Sequence, residues 1–342
     1  MAEAGQAGTF WVAEPGRGEI RTVALAAPGP EDVLVETLFT GISRGTETTV
    51  FRGGVPASLY QVMRCPFQEG DFPAPVKYGY CAVGRVAAGP ENLKGRLVFV
   101  LHPHQTRFVV PAAAVVPLPD VVPPGRAVLA ANMETALNGV WDAAIGPGDR
   151  VCVVGAGVVG LLTASIAARI PAVSPLVIDP DPGKAEAARA LGLAFRIGAE
   201  GLTDFDVVVH ASGHPEGLLT ALGLAGFEAT ILELSWFGDR EVTLPLGEAF
   251  HARRLTLRSS QVGAVSPSRR DRWSHRRRLE TALSLLADDR LDALISDESP
   301  FDELPEIMRR LADGSLPALC YRIRYQEEGS QHACSPSASA IT

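Results

Sequence analysis

Cysteine is scarce in this chain. Its 342 residues include five, Cys65, Cys81, Cys152, Cys320 and Cys334, and no two form a CxxC pair. That spacing excludes a disulfide-stapled secreted domain and a four-cysteine zinc knuckle. An excess of positive charge is missing too. The formal net charge is −8 and the isoelectric point is near 5.5, which argues against general nucleic-acid binding. The opening MAEAGQAGTFWV has an acidic residue and no apolar h-region, so no secretory signal is expected and a cytoplasmic protein is. Charged residues make up only 20% and hydrophobic ones 46%, so a sizeable core can form and global disorder is excluded. Residues 151–168 carry no charge and could imitate a membrane span. Three glycines at GxGxxG spacing and the abutting Asp149 and Arg150 favour a buried strand running into a buried helix instead, so no membrane contact is expected. Glycine (34) and proline (26) are in surplus, which points to heavy use of turns and close backbone approach.

The length suggests two domains. Short strand-like runs, FWVA, IRTVAL and DVLVETLFTG, fill residues 9–47. Residues 48–75 read as an irregular functional loop. CAVGRVAA, RLVFVLH and TRFVVPA add further strands, giving a β-rich region over 1–122. From residue 124 the pattern changes to a helix stopped by Gly146–Pro147–Gly148, then to strands alternating with helices, with LTLRSSQ at 255–261 as the last strand. That alternation indicates a parallel α/β sheet. A basic helix, a helix at 302–313 and a strand-like YRIRY follow, and the polar tail 327–342 reads as disordered.

Gly155, Gly157 and Gly160 form G-A-G-V-V-G directly after a short apolar strand, and Val158 opens the helix that follows. The first glycine permits the tight turn, the second admits a pyrophosphate and the third lets helix and sheet pack closely. Asp179 ends the next strand, 19 residues after Gly160, where a carboxylate can accept from both ribose hydroxyls. It would repel a 2′-phosphate, and Pro180–Asp181 supplies no arginine to receive one, so NAD is the expected cofactor.

With these features in place, the sequence resembles the medium-chain dehydrogenase/reductase superfamily over nearly its whole length. The matching segments are GISRGTE (41–47), YGYCAVGRV (78–86), METAL (133–137), GAGVVG (155–160) and LTLRSS (255–260). GISRGTE is similar to a zinc-poor subgroup that includes bacteriochlorophyllide a dehydrogenases. The resemblance implies an α/β fold: a Rossmann doubly wound parallel sheet over 123–265 plus a GroES-like β-rich catalytic domain, split between 1–122 and a return segment at 266–326. It also places Ser43 and Tyr80 where zinc-dependent members carry Cys and His, leaving Glu134 as the one matching ligand. A hydroxyl and a phenol are poor zinc donors, so no metal is expected.

By the same resemblance Tyr80 stands in the metal position, where a phenol can donate to a developing alkoxide or merely fill the space. Lys77, three residues earlier, could lower its pKa. Thr46 resembles the proton-relay hydroxyl, Glu47 a supporting carboxylate and Arg44 the arginine on the cofactor pyrophosphate, although Gly45 adds a residue to the common pattern. His102 and His104 would share a strand face but for Pro103, and a substrate- or ribose-contacting His102 is favoured over a metal site. The arginine run SRRDRWSHRRR (268–278) reads as a solvated face or an anion-attracting rim. Cys81 and Cys152 read as buried small residues.

Together these residues imply an NAD(H)-dependent oxidoreductase interconverting a secondary alcohol and a ketone without zinc. Its partner would be a small-molecule substrate, with no nucleic acid and no membrane, and a homodimer is possible. A zinc-free quinone or enoyl reductase and a catalytically silent nucleotide-binding protein are the alternatives.

Overall fold

The computed structural model describes residues 5–325, so the tail at 327–342 and Cys334 lie outside the described residues. The described residues form three sheets. One is wholly parallel, in the order Ala194–Arg196, Leu176–Ile178, Val151–Val154, Phe205–His210, Ala225–Glu233, Thr256–Ser259. The chain winds outward from Val151–Val154 in one direction and then from Phe205–His210 in the other. Those two neighbours therefore define a topological switch point, where such sheets bind ligands. All four residues of Val151–Val154 are buried, as a parallel strand covered on both faces requires. The uncharged stretch 151–168 splits into this strand, a glycine turn and the ten-residue helix Val158–Ala167. No helix among the described residues is long and apolar enough to cross a membrane.

The remaining sheets are β-rich and largely antiparallel. In the larger one, Asp32–Ile42 pairs with Ala82–Ala88, Arg107–Pro111 and Cys320–Arg324, and Ile295–Pro300 lies beyond Cys320–Arg324. The C-terminal strands thus complete a sheet begun near the N-terminus. A smaller sheet joins Gln6–Glu14 to Arg17–Ala24 and Val76–Lys77. Helix Leu304–Asp313 covers part of this region. Leu304, Ile307, Met308 and Leu311 recur on one face and are all buried, an apolar stripe with helical spacing.

The sequence expectations need correcting in places. Residues 48–51 are not loop but the end of helix Arg44–Phe51, whose start is fixed by the Glu47 carboxylate accepting from the Ser43 amide at 2.7 Å. The arginine run is mostly exposed, and Arg277 stacks over Trp273, 3.9 Å from its centroid. Arg278 departs from that reading. Only 1% of its surface is exposed.

Candidate functional site

The glycine turn leaves Val151–Val154 at the switch point. Gly155 has φ 109°, and a Cβ there would lie 2.6 Å from the Ser212 amide nitrogen. A Cβ on Gly160 would lie 2.0 Å from the Gly155 carbonyl oxygen, so helix and turn meet backbone to backbone. Gly157 faces open space and caps Val158–Ala167 with no side chain on the first-turn amides. Those amides, Val158's among them, suit a phosphate at the positive end of the helix. Asp179 is buried just past Leu176–Ile178. Its Oδ2 accepts from Ala156 N at 2.8 Å and Lys184 Nζ at 2.9 Å, and its Oδ1 from Asp181 N at 3.0 Å. Nothing in the local sequence marks Lys184 as the partner of Asp179. It offsets the carboxylate charge and weakens the electrostatic case against a 2′-phosphate.

The second group of residues gathers around helix Arg44–Phe51. Ser43 and Thr46 lie beside the half-buried Tyr80 phenol and favour its ionised form slightly. Burial dominates, aided by the nearby Glu47 charge, and pushes the phenol well above its usual value. Tyr80 is accordingly a neutral donor. Lys77 does not act on it, contrary to the sequence expectation, because its ammonium binds Glu69 and, at 2.9 Å, Gln105. Glu47 also accepts from His104 Nε2 at 2.8 Å, and His104 Nδ1 meets Thr40 Oγ1 at 2.7 Å. A carboxylate only accepts, so Nε2 carries a proton, and in the neutral ring Nδ1 accepts from Thr40.

Other expected residues fall outside this group. The regular strand ends at Val100, and Pro103 separates two unlike environments. His102 stacks on Phe108 at 3.8 Å, and its Nδ1 lies 2.8 Å from Pro103 O. Burial, helped by Lys77, pushes it down to about 3. It shares no hydrogen bond with Tyr80 or Glu47, so the structure does not bring it into the cluster. Glu134 pairs with Arg278 at 2.9 Å, both side chains being buried, and Arg278 also donates to Asn138 Oδ1 at 2.7 Å. Glu134 lies on helix Ala130–Ala143, and the residue of that helix reaching Ser43 is Asn132, at 3.4 Å. Two residues apart on a helix, Asn132 and Glu134 point to different faces. The half-buried Arg44 side chain makes no hydrogen bond or ion pair among the described residues.

Among the described residues, no group of three or more His, Cys, Asp or Glu could hold a metal ion. Cys65, Cys81, Cys152 and Cys320 are free and buried, and burial pushes the Cys65, Cys152 and Cys320 thiols up to about 12. A groove of about 700 Å³ between Gln6–Gly8 and Arg324–Tyr325 contains none of the expected site residues.

No protein-family model matches the chain. It is 28% identical over 194 residues to D-guloside 3-dehydrogenase of Escherichia coli (strain K12), a match covering 53% of this chain and 55% of that protein. The match thus spans about half the length of that curated relative. Among solved structures, the chain superposes on a protein of Sinorhizobium meliloti 1021 classed as a zinc-binding dehydrogenase and bound to NADP, with TM-score 0.73, 20% identity and coverage of 94% and 99% of the two chains. A protein of E. coli CFT073 described as a short chain alcohol dehydrogenase and complexed with NADH gives TM-score 0.73 at 16% identity, covering 95% and 100%. These likenesses show a shared fold, a parallel α/β sheet joined to a separate β-rich domain.

Proposed function

We propose that this protein is an NAD(H)-dependent oxidoreductase of the medium-chain type that interconverts a secondary alcohol and a ketone without catalytic zinc. The observation that carries the reading is the pairing of an open glycine turn and buried Asp179 with a neutral Tyr80 flanked by hydroxyls. The turn, the first-turn amides of Val158–Ala167 and Asp179 would hold the pyrophosphate and the adenine-side ribose. When bound, the nicotinamide supplies or accepts a hydride.

Zinc does not fit the residues that would receive it. Ser43 and Tyr80 offer neutral oxygens, and Arg278 occupies the Glu134 carboxylate. A catalytic zinc needs three good protein donors and an open position. Tyr80 instead donates its proton to the substrate carbonyl oxygen, and Thr46 and Ser43 steady the phenol and carry the replacement proton. A phenol raised by burial gives up a proton to an alkoxide far more readily than it ionises in the free protein.

The likeness to D-guloside 3-dehydrogenase favours a polyol or glycoside ring hydroxyl as the substrate group. NAD(H) is preferred over NADP(H) because Asp179 still presents its charge at the ribose, and Lys184 makes that preference modest. The test is a panel of keto-sugars and polyols with NADH and NADPH, run alongside metal analysis of the purified protein. Turnover at less than one-tenth zinc per chain supports the proposal. Turnover that appears only in stoichiometric zinc protein defeats the zinc-free reading.

A further inference from the structure

His210 ends the strand Phe205–His210 with 0% of its surface exposed, and the proton chemistry above makes no use of it. Its Nδ1 lies 2.7 Å from Glu233 Oε2, and its Nε2 lies 2.6 Å from Ser212 Oγ. Because the carboxylate only accepts, Nδ1 carries a proton, and in the neutral ring Nε2 accepts from the Ser212 hydroxyl. Acid, imidazole and hydroxyl in that order are the geometry of an activated nucleophile. The neighbouring amides point elsewhere. Gly213 N donates to Ser235 Oγ at 3.0 Å and His214 N to Ser212 Oγ at 3.2 Å, so neither is left to stabilise an oxyanion. The cluster instead ties the loop after Phe205–His210 to the loop after Ala225–Glu233.

Its place in the sheet gives those loops a role. Asp179, the acid for the adenine-side ribose, lies to one side of Val151–Val154, and Phe205–His210 lies to the other. A dinucleotide with its adenine end at Asp179 has its nicotinamide end over the His210 side. The loop reaches the crevice, since a Cβ on Gly155 would lie 2.6 Å from Ser212 N. On the far side Phe237 stacks on the imidazole at 6.1 Å, and Arg240 returns to the Gly213 carbonyl at 2.8 Å.

We propose that His210 is a positioning residue for the nicotinamide half of the cofactor. Bridged to Glu233 and Ser212, it fixes the two loops that wall that half of the crevice. This rests on the dinucleotide reading above. The test is titration of the full chain with NADH and, separately, with ADP, which carries the adenine side alone, following nicotinamide fluorescence with NADH and heat with both. His210→Leu is expected to weaken NADH about tenfold and shift the bound emission, leaving ADP within about twofold. His210→Gln, whose amide can still reach Ser212, recovers part of the loss. Should His210→Leu not fold, Ser212→Ala is expected to show the same split at smaller size. Equal losses for NADH and ADP, or wild-type NADH affinity in both His210→Gln and Ser212→Ala, overturn the proposal. If the wild-type chain binds neither NADH, NADPH nor ADP, the dinucleotide reading itself falls and takes this proposal with it.

Discussion

Replacing Arg278 with leucine separates a structural Glu134 from a ligating one. Arg278 is the largest fully buried side chain described, and it donates to Glu134 and Asn138 and to the carbonyls of Val262 and Ala264. Arg278→Leu would leave the buried Glu134 carboxylate without its partner, while Asn138 Oδ1 keeps the Ser266 amide at 3.1 Å. Breaking a buried pair in this way costs about 3–5 kcal/mol, a fall on the order of 10 °C in the thermal midpoint for a chain of this size. The pH dependence has a definite sign. Burial raises the Glu134 carboxyl above its usual value, and Arg278 opposes the rise. Without the arginine the folded-state value climbs further. A carboxyl raised in the fold favours the folded state below its unfolded value and loses that contribution as pH rises through the folded one. The gap between wild type and variant, read by thermal unfolding, should therefore be widest near pH 8 and narrow towards pH 5. A small gap, flat with pH, would refute the buried-pair argument. Recovery of the variant's midpoint on adding zinc would show that Glu134 is a ligand held in reserve.

Gly160→Ala places a methyl group against the Gly155 carbonyl, and prying helix from turn should cost about 1–3 kcal/mol and weaken NADH strongly by calorimetry; unchanged affinity would remove the turn from the cofactor site. Lys184→Ala should widen the preference for NADH over NADPH, because the Asp179 charge loses its partner. Asp179→Ala should weaken NADH and narrow that preference; competitive titration with the two cofactors checks both, and equal ratios in all three proteins would disprove the assignment.

Local features were legible in the sequence and tertiary ones were not. The glycine turn and Asp179 could be read because strand, turn, helix and strand are consecutive and each glycine answers a local steric demand. Residues 48–51 read as loop because they open a segment of mixed polarity broken by prolines and glycines, yet Glu47 reaches back to the Ser43 amide and starts a helix there. Lys77 and Tyr80 are close in sequence, but the intervening backbone is extended or irregular and the lysine turns to Glu69 and Gln105. Glu134 matched a ligand position by motif, while its partner Arg278 comes from 144 residues away. The burial of one arginine within a basic run has no local signal. His210 escaped notice because its partner Glu233 belongs to the adjoining strand of the parallel sheet, a pairing that only the strand order creates.

Zinc-free proton donation by Tyr80 is tested most directly by comparing Tyr80→Phe with the wild type, both with metal content measured, for single-turnover reduction of a ketone accepted by the wild type and for NADH affinity. Loss of the phenol hydroxyl should slow hydride transfer by at least about a hundredfold with NADH affinity unchanged within about twofold and no zinc in either protein. Near wild-type turnover in Tyr80→Phe would contradict it and leave the tyrosine as a filler of space.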